Sequence, residues 1–140
     1  MKKATRLIIE EGNNIIFIKR TKIINGSVKS YYVLPGGHLD GDESWEEAGI
    51  REAMEELSVE IKLDELMEEM YNEELDKLER FYFAHITKGK IKQGSGEEFE
   101  NMSLDSKHGL YEIARLIKKE ISAYTILPVH IKDRLIATYV

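Results

Sequence analysis

The stretch Gly37–Val59, GHLDGDESWEEAGIREAMEELSV, decides how the rest of this 140-residue chain is read. Ser44 and Glu47 stand at the S-x-x-E spacing of a capping box, in which each side chain satisfies the other residue's backbone amide. A helix is therefore predicted over Ser44–Leu57. At about 100° per residue, Ile50, Ala53, Met54 and Leu57 fall within one arc of roughly 100°, the expected buried face. Glu52, Glu55 and Glu56 fall in a second arc, centred nearly opposite. Three carboxylates so placed repel one another, weakly on an isolated helix. One reading is a solvated acidic face, since the chain has other Glu pairs at Glu46-Glu47, Glu68-Glu69, Glu73-Glu74 and Glu97-Glu98. The other is a cation site, because all-oxygen ligands suit Mg²⁺ or Mn²⁺.

Strands are expected before this stretch. Ala4–Glu10 and Ile15–Arg20 flank a turn at Gly12-Asn13-Asn14, the pattern of a hairpin. Thr21–Lys29 reads as a loop and Tyr31–Leu34 as a short strand. Pro35-Gly36-Gly37 then breaks regular structure. After the helix, a strand is expected near Val59–Leu63 or around Met67–Glu74, and another at Arg80–Thr87. Lys88–Asn101 reads as a long loop, Leu110–Arg115 as a strand, and Pro128 opens a closing helix over Val129–Ala137. This order suggests an α/β fold, a mixed sheet with helices packed on it. The length suits a single domain over residues 1–140.

The formal net charge of −6 argues against a uniformly basic nucleic-acid binder. An acidic protein that handles polyphosphate needs a cation between itself and its ligand, although ordinary solubility is the simpler reading of the charge. With no cysteine, the chain has no disulfide, thiolate zinc site or cysteine nucleophile, which fits a cytoplasmic location. The apolar run Leu7–Ile9 is too short for a signal-peptide core, and no apolar run approaches a membrane span.

Gly37, Glu43, Arg51, Glu52, Glu55 and Glu56, followed by Leu57-Ser58-Val59, closely resemble the Nudix box: G, five residues, E, seven residues, then REUxEExGU, with U aliphatic. Two positions depart from it. Ser58 replaces a glycine that ends the helix, where φ > 0 is often needed, so a different turn is expected there. Ala53 is small for an aliphatic position, with Met54 beside it to fill space. The resemblance implies a Nudix-type α/β/α sandwich whose box helix carries the metal site. It implies Mg²⁺-dependent attack of water on phosphorus in a nucleoside diphosphate linked to another moiety, with Mn²⁺ able to substitute.

On the same resemblance the metal ligands are Glu52, Glu55 and Glu56, with the Gly37 backbone carbonyl. Arg51 belongs to the catalytic set as a partner of nearby carboxylates, Glu43 among them. The general base is Glu52 or Glu55, or else Glu98 from the loop. Arg20 and Lys19 are candidate phosphate contacts, as are Lys88, Lys90 and Lys92, although an ordinary surface charge is the simpler reading of each. Tyr31, Tyr32, Phe81 and Tyr82 are candidates to stack on a base or to fill a core, and His38 is a candidate neighbour of the site. The expected partner is a small nucleotide-type molecule, with a homodimer compatible. A catalytically silent nucleotide-binding module is the alternative, as is an acidic helix that docks a basic partner. The box fixes the chemistry and leaves the substrate to loops outside it.

Overall fold

The structure is a computed structural model and describes residues 1–94, 102–104, 106 and 108–140. The chain forms two compact units. The first takes Met1–Glu10 and Leu34–Ser95, and the second Glu11–Val33 and Gly96–Val140.

The first unit is built on a mixed sheet. Strand β1 (Lys2–Glu11) runs parallel to β6 (Lys77–Lys88), with Lys2 opposite Lys77 and Ile9 opposite Ala84. On β1's other side the three residues of β4 (Gly36–His38) pair antiparallel, Thr5 opposite Gly37. Strand β5 (Glu60–Asn72) runs antiparallel to β6. Ala4, Leu7, Ile8 and Ile9 are buried, as expected for a central strand rich in β-branched residues and covered on both faces. The Pro35-Gly36-Gly37 segment, expected to break regular structure, thus contributes a short strand. Its length leaves almost no pattern to read.

The two alternatives for the strand after the helix merge into one. β5 covers both, with register shifts at Glu60/Ile61, Leu63/Leu66 and Leu66/Glu68. Each bulge offsets the alternation of inward and outward side chains, so a single strand looks like two.

Helix α1 (Trp45–Leu57) begins at Ser44 with both capping-box bonds present, Glu47 N–H to Ser44 Oγ at 3.0 Å and Ser44 N–H to Glu47 Oε1 at 2.9 Å. Its buried residues are Ala48, Gly49, Ala53, Glu56 and Leu57. The last four define an arc turned by roughly 60° from the predicted one. Ile50 and Met54, expected in the core, are 37% and 45% exposed. The reason is steric. Gly49 lies against Thr5, Leu7 and Leu63, and fully buried Ala53 is on the same side. Small residues let the helix approach the sheet closely, and that contact outweighs the pull of two larger apolar side chains. Ala53 therefore fits its position by being small, and Met54 fills no space beside it.

The second unit carries an antiparallel sheet. β2 (Asn14–Ile24) pairs with β3 (Ser27–Val33) and with β7 (Leu110–Ile117). The segment Thr21–Lys29, expected as a loop, is instead the end of a hairpin. Asn25 and Gly26 have φ of 51° and 79° and join Ile24 to its partner Ser27. Positive φ at both central residues is the requirement of a type I′ turn, which Asn-Gly meets. The flanking residues, Ile23, Ile24 and Val28 included, are exposed, and apolar and polar residues do not alternate regularly along them, so no pattern reveals the strands. A 3₁₀ turn at Lys118–Ala123 precedes α2 (Val129–Tyr139). Ile15, Ile16, Phe17, Ile18, Leu116, Ile121, Ile131 and Leu135 are buried. Among the described residues no helix is long and apolar enough to cross a membrane.

The orientation of α1 sets an expected stability order. Leu57→Ala, at a fully buried position, should cost about 2–5 kcal/mol in urea unfolding. Ile50→Ala and Met54→Ala should each stay within roughly 0.5–1 kcal/mol of wild type. The reverse order would show that the helix buries the face formed by Ile50 and Met54.

Candidate active site

All the site residues that the box singles out lie in the first unit. Arg51 is their centre. Its Nε donates to Glu43 Oε2 at 2.8 Å and its Nη2 to Glu43 Oε1 at 3.0 Å, a two-point fork on one carboxylate. Its Nη1 donates to Glu52 Oε1 at 3.0 Å and to Glu55 Oε2 at 3.1 Å. Nη2 also reaches the His38 carbonyl at 2.9 Å and lies 3.4 Å from Asp40. Helix spacing places Glu55 one turn beyond Arg51, and the β4–α1 loop brings Asp40 and Glu43 back over it. The loop closes on itself, because Asp40 N–H donates to Glu43 Oε1 at 2.7 Å and Glu43 N–H to the Asp40 carbonyl at 3.0 Å.

This crowding shifts the charges in opposite directions. The bond to Glu43, with Glu52 and Glu55 beside it, raises the Arg51 pKa. The same bond holds the Glu43 carboxyl below the usual range, helped by the Asp40 amide. His38 is pushed down by burial and by the neighbouring cations Lys77, Arg6 and Lys2. Its imidazole is therefore uncharged at neutral pH. What His38 gives to the Arg51 network is its backbone carbonyl.

The three box carboxylates are not equivalent. Glu55 is 41% exposed and Glu52 13%, measured on their side chains. Glu56 is only 5% exposed and faces inward, accepting the Gly36 amide on Oε1 at 2.7 Å. The expected outward carboxylate arc therefore has one buried member, which ties the helix to β4. Gly37 sits directly against Glu52: a Cβ there would overlap the Glu52 carboxylate, its Oε2 at 2.9 Å. Any larger residue would require the Glu52 carboxylate to shift.

Ser58 ends the helix with φ 61° and ψ 31°, and its N–H bonds the Met54 carbonyl at 3.1 Å. It takes the left-handed conformation itself, so the different turn expected at this position is not formed. The remaining candidates divide as follows. Arg20 and Lys19 lie on β2 of the second unit. The Arg20 guanidinium carbon stands 4.6 Å from the Tyr111 ring centre and 5.5 Å from that of Tyr31, and its Nη2 donates to the His108 carbonyl at 3.1 Å. Its Nε is buried without a hydrogen-bond partner among the described residues. Tyr32 packs edge-on against Phe17 and Tyr124, Phe81 is buried, and Tyr82 accepts from Arg80. Glu98 lies outside the described residues.

The donor set suits a hard divalent cation. Glu52 and Glu55 already share one positive nitrogen, and all their donor atoms are oxygens. Among the described residues no three His, Asp or Glu side chains converge into a ready cage. Mg²⁺ does not ask for one, since it takes one or two carboxylates and completes its octahedron with water and phosphate.

A family model for the NUDIX domain matches residues 2–125. The chain belongs to the NUDIX family. Solved structures agree in fold. The solution structure of the E. coli ORF135 protein superposes with a TM-score of 0.68 at 19% identity, over 98% of this chain and 89% of that one. The MutT protein from Methanosarcina mazei Go1 gives 0.64 at 17%, over 97% and 91%. An ADP-ribose pyrophosphatase from Streptococcus suis 89-1591 gives 0.54 at 20%, over 68% and 67%. The α/β class with a mixed sheet read from the sequence is the NUDIX fold.

Sequence reasoning missed the Glu56–Gly36 bond, because residues 20 apart carry no local signal. It also missed Asp40 as a neighbour of Arg51.

The Glu43 shift has a consequence for acid stability. Its folded pKa lies below the ordinary value of about 4.3, so the unfolded chain binds the proton first. The stabilisation is complete above that ordinary value and is lost as pH falls through the folded pKa. Urea unfolding from pH 7 down to pH 3 should therefore show a steeper acid decline in wild type than in Glu43→Gln. Parallel declines would remove Glu43 as the source.

Proposed function

We propose that this NUDIX hydrolase cleaves a phosphoanhydride bond in a nucleoside diphosphate linked to another moiety, with Mg²⁺ as its cation and Mn²⁺ as a substitute. The single observation that carries the reading is the pair Glu52 and Glu55 held around one nitrogen of Arg51, at 3.0 and 3.1 Å. MutT proteins and an ADP-ribose pyrophosphatase among the structural neighbours are consistent with it.

When bound, the cation supplies neutralisation of the phosphate oxygens and a more acidic water. The chain's own residues do the positioning. Glu52 and Glu55 would hold the cation through their carboxylate oxygens, and the Gly37 carbonyl is a further proposed ligand. Arg51 offsets the repulsion among these carboxylates and, through Glu43, fixes the loop against the helix. Glu56 completes the proposed metal set while its Oε1 holds the Gly36 amide. Phosphoryl transfer passes through a loose transition state, so such positioning and charge compensation dominate the acceleration.

For the proton of the attacking water, Glu52 and Glu55 are the candidate bases within the helix. Glu98 is proposed on resemblance alone. Arg20 and Lys19 are proposed phosphate contacts. In favour of Arg20 is its Nε, which has no acceptor among the described residues. We take residues 1–140 as one catalytic domain acting in the cytoplasm on a small nucleotide-type substrate, with a homodimer compatible. The two departures from the box give no support to a silent module, since Ser58 adopts the glycine conformation and Ala53 is fully buried.

Glu52→Gln and Glu55→Gln should each lower kcat by ~100-fold or more, and should also weaken the rise in Tm that Mg²⁺ produces in wild type. Glu56→Gln keeps an acceptor for Gly36 and should lose turnover without unfolding, whereas Glu56→Leu should lose both. The measurement is a substrate panel with product identification, paired with thermal melts with and without Mg²⁺. Wild-type turnover in all three Gln variants would sink the metal assignment.

A further inference from the structure

Helix α1 ends in an unusual electrostatic setting. The last carbonyls of a helix lack intrahelical partners and carry partial negative charge. Here Glu55 and Glu56 add two carboxylates to that end, and the last turn contains no basic residue. Backbone amides answer instead. Besides the Ser58 cap, Lys92 N–H donates to the Leu57 carbonyl and Gly94 N–H to the Glu56 carbonyl, each at 3.0 Å. The chain that leaves β6 thus returns as a strap across the end of the helix.

The strap lies so close that only glycine fits at residue 94. A Cβ there would overlap the Glu55 carbonyl oxygen and come within 2.9 Å of the Glu56 carbonyl carbon. Those atoms are backbone and cannot swing aside as a side chain would. Glu56 is consequently held at both ends, by Gly94 at its carbonyl and by Gly36 at its carboxylate. Glu55 follows the same peptide and meets Arg51 at its carboxylate.

We propose that Gly94 is a positioning residue for Glu55 and Glu56, setting how well they bind the divalent cation. This rests on the reading of those carboxylates as cation ligands. Groups that orient metal ligands from behind typically govern metal affinity by ~10–100-fold. A side chain at residue 94 pushes the strap off the helix, frees two carbonyls and loosens the turn that carries both glutamates.

The test compares Gly94→Ala, Lys92→Pro and Gln93→Ala. Lys92→Pro removes the amide to Leu57 without adding bulk against Glu55, so the question survives if Gly94→Ala fails to fold. Mg²⁺ is titrated by calorimetry and by thermal melts in the absence of substrate, and turnover is followed against Mg²⁺ concentration. The expected result is a half-saturating Mg²⁺ raised ~10–100-fold in Gly94→Ala and, in the same direction, in Lys92→Pro. In Gly94→Ala the nucleotide KM at saturating Mg²⁺ should stay near wild type and excess Mg²⁺ should restore kcat, Lys92→Pro is read on Mg²⁺ affinity alone, and Gln93→Ala should behave as wild type. Folded variants with wild-type Mg²⁺ affinity would overturn the positioning role alone. A wild-type protein whose Tm and turnover ignore Mg²⁺ would instead overturn the cation reading, and this proposal with it.

Discussion

The arrangement around Arg51 is the constraint on which the site depends. Asp40, Glu43, Glu52 and Glu55 all approach a single guanidinium. Its planar geometry divides the work. Nε and Nη2 grip Glu43, which leaves Nη1 to be shared by Glu52 and Glu55. A lysine at this place offers a point charge and could not make the fork and the shared contact together. Because Glu43 belongs to the loop and the other two belong to the helix, the same cation that balances charge also fixes the loop–helix junction.

The rest of the first unit supports that junction at some expense in local stability. Acidic residues favour the N-terminus of a helix, and Glu46 and Glu47 are there. Glu55 and Glu56 stand at the disfavoured end, and Glu56 is buried as well. A carboxylate in such a position needs strong partners, and the Gly36 amide is one. Local rules are broken here in favour of acidic residues at the helix's C-terminal end, one of them buried, and such departures cluster at functional sites.

What was legible in the sequence follows from the range of each interaction. The capping box involves residues three apart, so local spacing alone foretells it. The Nudix box also placed Glu43 near Arg51. The rotation of α1 was not legible, because hydropathy weighs Ile50 and Met54 heavily and gives Gly49 and Ala53 no credit for letting the sheet come close. The hairpin around Asn25-Gly26 was hidden because its exposed flanks lack a regular alternation, although the turn pair itself stands in the sequence. β5 was split by its bulges. The Glu56–Gly36 and Gly94–Glu56 bonds join segments distant in sequence, and nothing in either segment alone announces them.

The parallel pairing of β1 with β6 has a kinetic side. Lys2 meets Lys77, so almost the whole first unit, including β4, α1 and β5, is a loop closed by that pairing. Closure entropy must be overcome before such contacts repay it, which makes parallel long-range pairing slow. β4 borrows β1 as its template, with Thr5 opposite Gly37. During synthesis the capped helix can form early, but the bond from Gly36 to Glu56 lacks a firm sheet beneath it until β6 has left the ribosome and docked. The carboxylates proposed for the site should therefore be among the last groups to reach their places, and catalytic competence should arrive with global folding rather than ahead of it.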